Sequence, residues 1–146
     1  MALEVAQLLD MNQEQLDDLF RTSPVGQIPK GEGDGIVIIA TGTPLSEIAA
    51  RFLKFFAWQG KVFNPERGDL RNEITPFGIQ AIIAKVYKAE SWFDGKECIV
   101  LDYSQTSLIA HWIRDEIREV APGLYLGIVF WDKAKLINFA LAFPKG

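Results

Sequence analysis

His111 is the only histidine in the chain and the one side chain expected to titrate near neutrality unaided, so an acid–base reading of this protein begins there. Asp102 and Asp115 lie near it in sequence and could orient its imidazole. Any of the three would serve as acid or base, with Tyr103 or Arg114 stabilising developing charge. The nucleophile is the missing part. Ser104, Thr106 and Ser107 are hydroxyls in the same neighbourhood, but no Gly-x-Ser-x-Gly elbow holds any of them. A hydrogen-bonded or solvent-facing histidine is the plainer expectation. Cys98, within the apolar run from Cys98 to Leu101, reads as a buried, inert thiol. One cysteine forms no intramolecular disulfide, and one cysteine with one histidine makes no structural zinc site unaided, so no metal and no cofactor is expected.

Binding asks for fewer groups than catalysis. Asp102 and Tyr103 end that apolar run, and Tyr87 faces it across the Asp94-Gly95 turn, so the three are candidate polar anchors of a pocket. Strand parity puts Ile113, Asp115 and Ile117 on one face, with Trp112, Arg114, Glu116 and Arg118 on the other, and the isoleucines mark theirs as the inner one. Asp115 is then a carboxylate on an apolar wall, to be compensated by Arg71, Lys85, His111 or a tyrosine hydroxyl. It is either a structural contact or a ligand anchor. The Arg114, Glu116, Arg118 row reads as an outward, mutually paired, solvated face. Residues 23–35 carry four glycines, but the Gly-x-x-x-x-Gly-Lys-Ser/Thr pattern of a phosphate cradle is absent.

These residues must be positioned by strands. Turn signals recur at Asn64-Pro65, Thr75-Pro76, Asp94-Gly95, Ala121-Pro122-Gly123 and Asp132-Lys133. Between them the spacing predicts strands over 60–63, 69–74, 79–90, 97–103, 111–120, 124–131 and 136–143, and 36–40 adds an eighth. Residues 23–35 should be a glycine-rich loop leading into that first strand. Two short helices are expected before it, over 3–10 and 12–20. The second is capped by Asn12 with Gln15 three residues on, and its Leu16, Leu19 and Phe20 edge should close one end of the fold. Thr43 and Pro44 start a longer helix over 43–57, whose apolar stripe centres on Phe52. It would cover the outer side of strand 79–90, apolar at both parities near its start, although a homodimer interface would serve too.

A chain of 146 residues is expected to be a single domain, 1–146, with 1–35 as its helical and loop start. A net charge of −4 with scattered basic residues excludes a nucleic-acid footprint. The acidic opening lacks the chemistry of a secretory signal, and no apolar run approaches the ~20 residues of a bilayer span, so a cytoplasmic location is expected. Eight strands are the number at which an antiparallel sheet closes, around packed side chains or one small ligand.

The run Gly26-Gln27-Ile28-Pro29-Lys30-Gly31-Glu32-Gly33-Asp34-Gly35, then Trp58-Gln59-Gly60-Lys61-Val62-Phe63, then the hairpin from His111, resembles the GXWXG-type bacterial families of unknown function. Gly33 stands where their tryptophan would be. Lipocalin-like, or calycin, barrels are the broader comparison. The resemblance implies a barrel able to bind a small hydrophobic molecule and implies no catalytic residues. The reading is therefore a mainly β protein, a small antiparallel barrel of about eight strands with one packed amphipathic helix and short N-terminal helices. It would bind an apolar or amphipathic ligand through Trp58, Tyr87, Asp102, Tyr103, His111, Arg114, Asp115 and Tyr125, with Trp92 adding to the aromatic wall. A small barrel hydrolase, isomerase or cyclase and a homodimeric interaction module are the alternatives.

Overall fold

The computed structural model describes residues 3–38, 60–64, 68–74, 79–104 and 112–144. Helices α1 (Val5–Leu9) and α2 (Gln13–Thr22) precede strands β1 (Gly31–Ile38), β2 (Gly60–Asn64), β3 (Asp69–Ile74), β4 (Ile79–Glu90), β5 (Glu97–Asp102), β6 (Ile113–Ala121), β7 (Leu124–Trp131) and β8 (Ala134–Ala142). The protein is mainly β. Each strand pairs antiparallel with the next, and β8 pairs back onto β1 from Asp34↔Ala142 to Ile38↔Asn138, so the ladder returns to its start. No helix among the described residues is long and apolar enough to cross a membrane. The expected helix over 43–57, with Phe52, lies outside the described residues.

Two apolar layers follow from strand parity. Inside the ladder, Ala84, Val86, Ile99, Leu101, Ile113, Ile117, Val129, Ile137, Phe139 and Leu141 pack together. Outside it, Cys98, Val100, Leu126, Ile128, Phe130 and Ala140 pack with Leu8, Leu16 and Phe20 of the two helices. This is why β7 is apolar at both parities and buried from Leu124 to Phe130: one face meets the interior and the other meets the helices. Asn12 caps α2 as its spacing predicts, its side chain accepting from Gln15 N while Gln15 accepts from Asn12 N.

Two expectations about these elements are corrected. The α2 edge does not close an end of the fold; it lies across the outer face of β5–β8, because that face is itself apolar. The end is closed by residues 24–30 instead. There Val25 and Ile28 pack into the inner core, Gln27 O accepts from the Tyr125 hydroxyl at 2.7 Å, and Gly26 lies so close to Glu119 that an added Cβ would fall 2.4 Å from its Cβ. Finally, the glycine-rich run is not all loop. Gly31 to Gly35 form the first half of β1, paired to β2 at Gly31↔Phe63 and to β8 at Gly35↔Leu141. A Cβ on Gly33 would lie 2.6 Å from the Phe143 ring, so the missing side chain is what admits that ring.

Candidate functional site

Parity divides the eight expected ligand-binding residues. Tyr103, Asp115 and Tyr125 face the interior. Tyr87, Asp102 and Arg114 are on the outer face, since Tyr87 pairs with Val100, and Asp102 with Arg114. They do not line the inside as expected, because each stands at the opposite parity from the core isoleucines of its own or a neighbouring strand. Trp92 is outside as well, with its ring against Phe130. Trp58 and His111 lie outside the described residues.

Asp115 is a buried carboxyl residue of the inner wall. It is 2% exposed, stands between Leu101 of β5 and Val129 of β7 in the register, and has Ile113 and Ile117 on either side along β6. Lys85 is excluded as its partner, because it opposes Asp102 on the outer face and is exposed. Tyr103 follows β5 two residues beyond Leu101 and is fully buried in the same core, and Trp131, paired with Ile113, packs against that core. Asp115, Tyr103, Ile113 and Trp131 thus share the half of the interior away from residues 24–30. Tyr125 belongs to the closed half. Its ring meets Phe143 edge-on at 5.6 Å, and burial together with the nearby Glu119 carboxylate pushes its phenol up to about 12. Four residues separate it from Val129, roughly 13 Å of strand, so Tyr125 and Asp115 do not act on one atom.

The outer face of β6 is charged but not solvated, which corrects the expectation for Arg114, Glu116 and Arg118. Arg118 is buried beneath α2 and the β4–β5 turn and donates all five guanidinium hydrogens. Nε bonds Glu97 O, Nη1 bonds Phe20 O and Asp94 Oδ2, and Nη2 bonds Asp94 Oδ1 and Lys96 O. The hydrogen bond from Arg118 holds the Asp94 carboxyl below its ordinary range. Glu116, fully buried, accepts from the Ser91 hydroxyl, from Trp92 N at 2.7 Å and from Arg114 Nε at 3.1 Å. Burial, and then the Glu116 charge, push the Cys98 thiol up to about 12, which makes it inert as expected.

Tyr87 donates to Asp102 Oδ2 at 2.7 Å, and Ser104 N donates to Asp102 Oδ1 at 2.9 Å. Burial raises the Asp102 pKa, but the bonds from Ser104 and Tyr87 outweigh it and hold the carboxyl low. Desolvation and the same bond push the Tyr87 phenol up to about 12. A carboxyl held below its ordinary range, as Asp102 is, is a poor proton acceptor for catalysis. Ser91, Asp94, Glu116 and Trp92 form a cluster that reading the sequence by single strands missed. Its signal was β7: a strand apolar at both parities requires its outer face, and that of neighbouring β6, to be covered.

No family of known sequences matches the chain, and no curated protein matches it. Among solved structures it is similar to "Crystal structure of protein from Thermomonospora curvata", with a TM-score of 0.70 over 97% of this chain and 96% of that one, at 13% identity. A likeness at that identity shows the fold alone.

Proposed function

We propose that the inside of the β1–β8 ladder, read as a lipocalin-like eight-stranded barrel, binds a small hydrophobic or amphipathic molecule. The observation that carries the reading is Asp115, a carboxylate 2% exposed in a wall of Leu101, Ile113, Ile117 and Val129. A carboxyl group set in that apolar wall is placed to anchor the polar end of a ligand whose apolar part lies against the same side chains. Tyr103 and Trp131 supply aromatic surface beside it, and residues 24–30 stop the opposite end. The ends of β1, β3, β5 and β7 near Asp115 are where a ligand would enter. His111 and Trp58, outside the described residues, stay in the proposal as ligand contacts. The GXWXG-type relationship and a cytoplasmic location belong to the same proposal.

Native mass spectrometry of the purified protein, followed by fluorescence titration with fatty acids and aromatic polyenes, tests it. Trp131 is the reporter, and Trp131→Phe is the control that removes its signal. Binding should be micromolar, about 8 kcal/mol. Asp115→Asn keeps the shape, so affinity should fall while the melting curve persists. No retained mass together with a flat titration across that library would end this reading.

A further inference from the structure

The large apolar side chains most exposed among the described residues are Trp112 at 50%, Trp92 at 43%, Leu9 at 41% and Tyr87 at 37%. Tyr87 and Trp92 belong to one region, the outer face of β4–β6 beyond the cover of α2. Trp92 is built into it rather than left over. Its indole stacks on the Arg114 guanidinium at 4.3 Å and meets Phe130 edge-on at 5.6 Å. Its backbone N–H is tied to the fully buried Glu116, and the same carboxylate holds Arg114 beneath the ring. The β4–β5 turn is already pinned by the bidentate pair of Arg118 and Asp94. Glu116 is thus a second buried charge, costly to desolvate, whose distinct effect is to fix the pose of an exposed indole.

Polar groups of both kinds stand on the strands beside Arg114. Asp102 pairs with Arg114 on one side and with the exposed Lys85 on the other, and Tyr87 bonds Asp102 from β4. Trp112, two residues before Arg114, lies in the turn that precedes β6. We propose that this face is a binding platform for neutral saccharides, with the Trp92 indole stacking on the apolar face of a sugar ring and Asp102, Tyr87 and Lys85 meeting its hydroxyls. A carboxylate only accepts hydrogen bonds and an ammonium only donates them, so a ligand spanning Asp102 and Lys85 must do both, as a hydroxyl does. A proline-rich peptide would offer carbonyl acceptors to an acceptor at Asp102, while the Tyr87 proton is already committed there. The indole already carries the Arg114 cation, so a further ring laid on its exposed surface is favoured when it is uncharged.

The test is calorimetric titration of the full chain with cello-, chito-, xylo- and maltohexaose, with a proline-rich decapeptide as a further arm. At least one oligosaccharide should bind, and Trp92→Ala should weaken it roughly tenfold or more, the loss of a stacked aromatic anchor. That variant keeps the backbone bond to Glu116. Should it fail to fold, Asp102→Asn decides the matter and must weaken binding several-fold. Asp115→Asn, on the inner face, should leave saccharide affinity unchanged, which separates this platform from the interior site. Failure of all four sugars to bind at millimolar concentration, undiminished binding by a folded Trp92→Ala, or binding of the peptide alone would overturn the proposal.

Discussion

Arg118 meets five acceptors from α2, the β4–β5 turn and β5, so one side chain ties three elements to β6. Its pairing with Asp94 has a pH signature. Asp94 titrates below its ordinary 3.8 in the folded protein, so its contribution to stability is complete above that value and is lost as pH falls through the lower, folded pKa. Urea midpoints measured from pH 5 to pH 2 should decline, and Asp94→Asn should be less stable at pH 5 yet show a shallower acid decline. Arg118→Met would leave the Asp94 carboxylate only the exposed Lys96 ammonium at 3.8 Å and should cost ~3 to 5 kcal/mol. An equal acid slope in wild type and Asp94→Asn would remove Asp94 from the account of acid unfolding. The Glu116 carboxylate beside it could not be read as buried from β6 alone, because alternation with Arg114 and Arg118 is also what a solvated face looks like.

Among the elements, the β7–β8 hairpin turns through Asp132 and Lys133, with Trp131 paired to Ala134. Both turn residues have positive φ, 46° and 71°. Such a two-residue turn suits the twist of the strands, but lysine in the left-handed region is strained where glycine is not. Lys133→Gly should therefore raise the thermal midpoint, by up to ~1 kcal/mol of stability. A lowered midpoint would mean that the lysine side chain contributes more than its backbone strain costs. The neighbouring strands leave less room. At Gly127 a Cβ would meet the Phe139 ring at 2.2 Å, so that glycine is set by its cross-strand partner rather than by a turn.

At the scale of the whole molecule, α1 and α2 act as a cover. Leu8, Leu16 and Phe20 are fully buried on the sheet, and polar clasps from Asp17 to Lys135 and from Gln13 to Asn138 reinforce them. Removing residues 1–23 should expose the outer core, bind an apolar dye and drive self-association by sedimentation; a monomer that melts like the intact chain would show that the cover is dispensable. Much of this was legible in the residues themselves. Alternation and turn chemistry located eight strands, the Asn12 cap located α2, and parity placed Asp115 with Ile113 and Ile117, because all of these depend on periods of a few residues. Only the tertiary structure decided what covers each face. It buried Arg118 and Glu116, turned Tyr87, Asp102 and Trp92 outward, stopped one end with residues 24–30 and made a strand of Gly31 to Gly35. Those outcomes depend on partners distant in the chain, and no local period records which distant segment comes to lie on a strand.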